Sequence, residues 1–325
     1  MFFYIFSVNF VAFIIFAFIS LKFLKSYFPL SISSNRSALP HDPIIRGVGI
    51  FFPICFIISN YLLTNSLELP LSNYLLIFIS TLIGFYDDCK NLSYKKKLTA
   101  LIILFILVIS IDNNNLLFGE LNYIFSVFIS LIFFIFFILF FNQIDGINGL
   151  SSGTFCVFFS SLIFLKFNEM VLVESFIIIL SIAFSYYIFN ILKFNFFQGD
   201  SGAYFLGAVS YIIIQKNEDL LFVSLAFLFP ILGDIIWTTL MRVFFKYNLS
   251  QPHKTHLYQK SVSKIKAHFP VSFCHILIQF FCFFIIYYFE IYKLNLFLQL
   301  ISLILFGLFF STLYIYTSYL FNKTK

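Results

Sequence analysis

The strongest constraint on this chain is repetition. Uncharged apolar runs recur from end to end, each about as long as the hydrocarbon core of a bilayer is thick. Leu121–Phe140 is one such run, twenty residues without a charge. Inside a bilayer every backbone N–H and C=O must be satisfied within the protein, so runs of this length are helices. Eleven spans are read, at roughly 2–24, 47–64, 69–86, 98–117, 121–141, 149–165, 170–192, 201–215, 220–241, 269–289 and 294–320. Composition agrees: 61% of residues are hydrophobic and 10% charged, against about 25% charged in a soluble domain. The expected fold is all-α, a polytopic integral membrane protein of about 10–11 transmembrane helices forming a single domain over residues 1–325. Met1–Leu24 lacks a leading basic region and a small-residue cleavage site, so it reads as a retained span rather than a signal peptide.

The basic residues orient the chain. Loops after odd-numbered spans, with the C-terminal tail, hold 17 of the 20 Lys and Arg residues, leaving Lys166, Lys216 and Lys293 on the other side. The positive-inside rule then places the odd-numbered loops and the C-terminus in the cytoplasm and the N-terminus outside. The net charge of +6 resides on that face. It is accounted for by topology and anionic headgroups, without a nucleic acid partner. Five cysteines, odd in number and without a CxxC pair, argue against a disulfide framework or a zinc site.

Polar stretches interrupt the apolar pattern on the predicted cytoplasmic side. They are SSNRSALPHDPIIRGVG (33–49), GFYDDCKNLSYKKKL (84–98), FNQIDGINGLSSG (141–153), FQGDSGAYFLG (197–207) and PILGDIIWTTLMR (230–242) with SQPHKTHLYQKS (250–261). Asp87, Asp88, Asp145, Asp200 and Asp234 all lie at or near span ends on this side. One acid there is an ordinary cap; five gathered on one face would repel unless a cation sat among them. Hard oxygen ligands suit Mg²⁺, which is commonly held by one or two carboxylates and substrate phosphates. Asp145-Gly146, Asn148-Gly149 and Gly199-Asp200-Ser201-Gly202 allow close backbone approach to a ligand. Helices starting after these turns would offer free amides to phosphate. The loop at 242–268 adds six basic residues and His253, His256 and His268. Together these features describe a diphosphate site at a membrane surface.

Each signal has a plainer reading. Asp-Gly and Asn-Gly are ordinary turn dipeptides. Lys95, Lys96 and Lys97 read as orientation and lipid contact; His268 and His275 read as structural. His253 and His256 could ligate a metal, although the surrounding lysines favour phosphate contact. Asp234, about fourteen residues into its span, reads as a buried acid paired with Arg242 or a neighbouring helix.

In order along the chain, GFYDDCKNLSYKKKL, NQIDGINGL, Asn190 ten residues before Asp200, QGDSGAYFLG, and PILGD followed by Arg242 and PHKTHLYQ resemble the polyprenyl-phosphate N-acetylhexosamine-1-phosphate transferases. This is glycosyltransferase family 4, which includes phospho-N-acetylmuramoyl-pentapeptide transferase. The resemblance runs through roughly residues 30–260. It implies Mg²⁺-dependent transfer (Mn²⁺ as a substitute) of a sugar 1-phosphate from a UDP-sugar to undecaprenyl phosphate, releasing UMP, at a bacterial inner membrane. That reaction initiates a cell-surface polysaccharide such as an O-antigen or a wall polymer. By the same resemblance Asp87 and Asp88 are the paired acids that accept a proton from the lipid phosphate or help place the metal. Asp200 matches the magnesium ligand, and Asp145 with Asn142 and Asn148 matches the loop contacting nucleotide and diphosphate. Asn190 matches a polar residue near the nucleotide. His256 matches the first histidine of a motif that handles the diphosphate, with His253 and Lys254 beside it. The implied partners are undecaprenyl phosphate, a UDP-N-acetyl sugar, membrane lipids and, within the family's range, a second copy of the chain.

The departures bear on the sugar. The family commonly shows Asp-Arg-x-His-x-His-His where this chain has His253-Lys254-Thr255-His256-Leu257-Tyr258-Gln259. That form is similar to an HRSHxYQ pattern in relatives using 6-deoxy N-acetyl sugars such as FucNAc or QuiNAc, with GlcNAc the other expectation. The rival class is a polytopic secondary transporter, which should carry internal repeats and polar groups near the bilayer midplane. No convincing repeat is found, and the polar stretches sit at span ends.

Overall fold

A computed structural model describes residues 2–22, 28–31, 39, 43–64, 69–113, 116–166, 173–192, 196–247 and 254–323. The fold is mostly helical, that of a polytopic membrane protein. The helices are α1 (Phe2–Lys22), α2 (Phe51–Thr64), α3 (Leu71–Lys90), α4 (Tyr94–Ile111), α5 (Tyr123–Ile144), α6 (Leu150–Lys166), α7 (Val173–Ile191), α8 (Gly199–Lys216), α9 (Leu221–Phe244), α10 (Leu257–Ile265), α11 (Phe269–Tyr288) and α12 (Leu296–Lys323). Every expected span carries a helix, and α10 is an additional short one. Among the described residues five helices, α5, α7, α9, α11 and α12, are long and apolar enough by length and composition to cross a membrane. The boundaries differ where polar residues extend a helix beyond its apolar run. Thus α3 continues through Asp87 and Asp88 to Lys90, and α4 begins at Tyr94, with Lys95–Lys97 in its first turn.

The chain divides into two compact units. The first comprises Met1–Ile32, Asp42–Asp145 and Lys166–Glu218, and holds α1–α5, α7 and α8. A small three-stranded sheet joins them: β1 (Leu30–Ser31) runs antiparallel to β2 (Ile44–Arg46), which runs parallel to β3 (Phe196–Phe197). At the centre lies α8, buried from Gly199 to Gln215 and flanked by α3 and α5. Aromatic rings lock α8 to α4 and α5: Phe105, Phe134 and Tyr211 have centroids 5.3–5.8 Å apart. Polar side chains join α1, α2 and α7, where Asn9 donates to Ser181 at 2.8 Å and accepts from Ser59 at 2.6 Å. Apolar side chains gain little by leaving lipid, so close packing and such hydrogen bonds hold helices together.

The second unit comprises Ser33–His41, Gly146–Leu165 and Asp219–Lys325, and contains α9–α12 with most of α6. Here α9 packs on α11 and α12, and Tyr314 of α12 donates to the Pro230 carbonyl at 2.7 Å.

One contact sets how closely α3 approaches the start of α8. A Cβ added at Gly84 would sit 2.6 Å from the Asp200 carbonyl oxygen, so only glycine permits the observed crossing. Gly84→Ala should lower stability by about 1–3 kcal/mol. Thermal unfolding of the detergent-purified protein measures this; an unchanged midpoint would mean that the helices are not in contact there.

Candidate active site

Within the first unit, four acids predicted from the sequence meet at helix ends. Asp87 and Asp88 lie in the last turn of α3, Asp145 caps the C-terminus of α5, and Asp200 lies in the first turn of α8. Two cations join them that the sequence reading did not assign to the site. Arg46 ends β2, whose register sets it opposite Phe197, just before Gln198 and the start of α8. Its Nε lies 2.7 Å from Asp88 Oδ1, and its terminal nitrogen binds Asp200 Oδ1. Lys97, from the first turn of α4, reaches Asp200 Oδ2 at 3.0 Å and also binds Asp87 Oδ2. Lys97 is therefore not merely an orientation signal, whereas Lys95 and Lys96 are exposed.

Asp88 organises the cluster. Its carboxylate accepts the backbone N–H groups of Asp200 at 2.8 Å and Ser201 at 3.1 Å. A carboxylate at the C-terminus of its own helix faces an unfavourable dipole; here it sits against the N-terminus of another, where the dipole favours it. Gly199 has φ +73°, and an added Cβ there would fall 2.3 Å from Asp88 Oδ2, so both conformation and space require glycine. The α8 amides expected to await a phosphate are thus occupied by a side chain. Asp87 Oδ1 accepts the Leu92 N–H at 2.6 Å in the turn that closes α3. Asp145 Oδ1 accepts from Gln198 Nε2 at 2.6 Å. Asn190 and the Gln198 backbone both donate to the Tyr186 hydroxyl, at 3.0 and 2.9 Å, so Asn190 buttresses the segment entering α8. Asn142 occupies the last turn of α5 and is half-buried.

The remaining predicted residues belong to the second unit or lie outside the described residues. Asn148 donates its backbone N–H to His268 Nδ1 at 3.1 Å, giving His268 a part in shaping the Asn-Gly turn. His256 is buried at the N-cap of α10, and Lys254 is exposed before it. His253 is outside the described residues. Asp234 receives the Leu257 and Tyr258 N–H groups, so its partner is α10, a neighbouring helix. All five cysteines are free thiols.

The charges do not balance. Four carboxylates meet two cations among the described residues of this cluster. Burial, then the nearby Asp200, raises Asp87 to about 6 despite Lys97. Burial raises Asp88 to about 7, with Asp200 adding to the shift while Arg46 and the α8 amides oppose it. Desolvation lifts Asp145 well above the usual carboxylate range, against the pull of its Gln198 hydrogen bond. Burial also works against Asp200, but Arg46 and Lys97 hold its carboxylate below the usual range. With every acid ionised the cluster carries two uncompensated negative charges, the deficit a divalent cation fills. Among the described residues no three His, Cys, Asp or Glu side chains are gathered as a metal cage. Mg²⁺ needs only one or two carboxylates plus phosphate and water oxygens. Asp87 and Asp200, which both grip the Lys97 ammonium, form such a pair, so the donor set fits.

A family comparison bears on the class. Residues 71–217 match the model described as Glycosyl transferase family 4. The matched segment carries a family 4 glycosyl transferase domain. Members of that family transfer a sugar 1-phosphate from a UDP-sugar to a polyprenyl phosphate, generally with a metal. The matched segment takes in Asp87, Asp88, Lys97, Asn142, Asp145, Asn148, Asn190 and Asp200, whereas Arg46, Lys254 and His256 fall outside it. No curated protein matches the chain.

The raised acids imply a pH dependence. A carboxyl whose folded pKa exceeds its unfolded value near 4 stabilises the fold fully below that value and loses its contribution as pH rises through the folded pKa. In chelator, the thermal midpoint should therefore fall between about pH 5 and 7.5. Asp200, depressed instead, contributes unchanged across this window. Excess Mg²⁺ at pH 7.5 should restore the midpoint, and Asp87→Asn with Asp88→Asn should flatten the slope. A midpoint that rises with pH in chelator would contradict the shifts.

Proposed function

We propose that this enzyme transfers an N-acetylated sugar 1-phosphate from a UDP-sugar to undecaprenyl phosphate, giving undecaprenyl-diphosphate-sugar and UMP at the cytoplasmic face of a bacterial membrane. The product would start a cell-surface polysaccharide. The observation carrying this reading is the cluster of Asp87, Asp88, Asp145 and Asp200 on Arg46 and Lys97, gathered where α3 and α5 end and α4 and α8 begin. The His253–Gln259 sequence favours a 6-deoxy N-acetyl sugar such as FucNAc or QuiNAc, with GlcNAc next.

In the reaction an acceptor phosphate oxygen bonds to the sugar-bearing phosphorus. The bond from that phosphorus to the bridging oxygen breaks, and UMP leaves with the electron pair. Such a transfer needs alignment and charge neutralisation more than covalent help. Mg²⁺, held by Asp200 with Asp87, would neutralise diphosphate charge and favour the leaving group. The two acids of the Asp-Asp pair divide the work. Asp88 is committed to Arg46 and two α8 amides, a structural duty. Asp87 has fewer such ties, which leaves it the member of the pair able either to accept the lipid phosphate's proton or to help hold the metal. Asn142, Asp145, Asn148 and Asn190 are assigned to the nucleotide side, and His256, with His253 and Lys254, to the diphosphate.

UMP release in detergent, from a panel of UDP-N-acetyl sugars with undecaprenyl phosphate and Mg²⁺, tests the reading. Failure of every sugar to yield UMP and a lipid-linked product would overturn it. Asp87→Asn and Asp200→Asn should each cost at least roughly 10²-fold in rate while the protein still folds. Asp88→Asn should lose activity together with several degrees of thermal stability, because it disturbs a buried carboxylate paired with Arg46. Equal stability of the Asp87 and Asp88 variants would remove the division of labour.

A further inference from the structure

In the second unit, Asp234 occupies an unusual place. It lies inside the apolar helix α9 and is 1% exposed, where an unsatisfied carboxylate would be costly. Its oxygens are instead consumed. Oδ1 accepts from the Thr238 hydroxyl at 2.9 Å and the Leu257 N–H at 3.0 Å, and Oδ2 accepts from the Tyr258 N–H at 3.1 Å. Leu257 and Tyr258 open α10, and first-turn amides have no partner within their own helix. An N-cap Ser, Thr, Asp or Asn ordinarily supplies one. Here the N-cap is His256, with extended backbone (φ −60°, ψ 143°), and its side chain makes no capping hydrogen bond. The cap comes from a different helix, which relieves position 256 of that duty and lets it carry an imidazole.

The same carboxylate also faces that imidazole, with His256 Nδ1 3.8 Å from Asp234 Oδ1. The ring stacks on Tyr258, centroids 5.3 Å apart at 14°, and Tyr258 is fully buried. Backbone, ring plane and charge environment of His256 therefore converge on Asp234.

We propose that Asp234 is a positioning residue for His256. It seats the start of α10 on α9 and orients the imidazole that acts on the substrate diphosphate. The inference rests on the diphosphate role assigned to His256 above; the seating of α10 rests on geometry alone.

Hydrogen exchange and kinetics on the full chain in detergent separate the two. In Asp234→Asn, the peptide covering 254–262 should lose protection while peptides of α11 and α12 keep theirs. Using the UDP-N-acetyl sugar on which the wild type releases UMP fastest, kcat should fall roughly 10- to 100-fold, with KM for that sugar changing little. Combined with His256→Ala, which is itself impaired, Asp234→Asn should cost less than about twofold more, since residues acting as a unit are not additive. Thr238→Val, which removes one donor to the carboxylate, should show the same pattern in smaller measure and serves if Asp234→Asn does not fold. Unchanged protection at 254–262, or the same fold-loss in both backgrounds, overturns the proposal. A His256→Ala enzyme with wild-type kinetics overturns instead the diphosphate role of His256.

Discussion

The first unit depends on a carboxylate of one helix capturing the first amides of another. Asp88 ends α3, Asp200 and Ser201 begin α8, and their hydrogen bonds at 2.8 and 3.1 Å fix the point where the two helices meet. Gly84 and Gly199 give the backbones room to come that close. The junction also requires a positive partner, because a buried carboxylate is stable only when its charge is answered. Arg46 answers it from β2, and the parallel register of β2 with β3 brings Arg46 to that place. A sheet of only three short strands thus matters to the site: it carries to the helix junction the cation that pairs with Asp88.

What remains after that junction is satisfied is a chemically useful surplus of negative charge. Asp200 shares Arg46 and Lys97, Asp87 shares Lys97, and Asp145 has a neutral amide for its partner. The cations are too few to keep every acid ionised. The cluster either holds protons, as the upward shifts of Asp87 and Asp88 indicate, or recruits positive charge. A site for two phosphorylated substrates needs this property, since bound phosphates repel carboxylates unless a metal bridges them.

Much of this was legible in the sequence, and the limits have physical causes. Apolar runs of bilayer length locate helices because lipid leaves the backbone no other option, and a helix stands on every expected span. The Asp87–Asp88, Asp145 and Asp200 stretches stood out because acids and glycines are rare in such a chain. Lys97 and Arg46 were not assigned to the site: positive-inside topology already explains a basic residue at either place, and only three-dimensional pairing separates Lys97 from exposed Lys96. The α8 amides were expected to be open to phosphate, yet they are closed by Asp88, because a cap supplied from another helix leaves no local spacing signal. The role of His268 in holding the Asn148 amide was missed for the same reason, with 120 residues between the partners.

Asp234 shows that trans-capping is used more than once. In each unit an acid that sequence alone would group with the reactive carboxylates is found holding two consecutive amides at the start of another helix. Such an acid has surrendered its lone pairs to backbone donors and is poorly suited to ligate a metal or abstract a proton. It can, however, set the position of whatever follows those amides. For Asp88 that is Asp200 and the rest of α8's first turn; for Asp234 it is His256 at the head of α10. Counting backbone donors therefore sorts the five acids by chemistry. Two are committed to architecture, while Asp87, Asp145 and Asp200 retain capacity that substrates or a cation can claim.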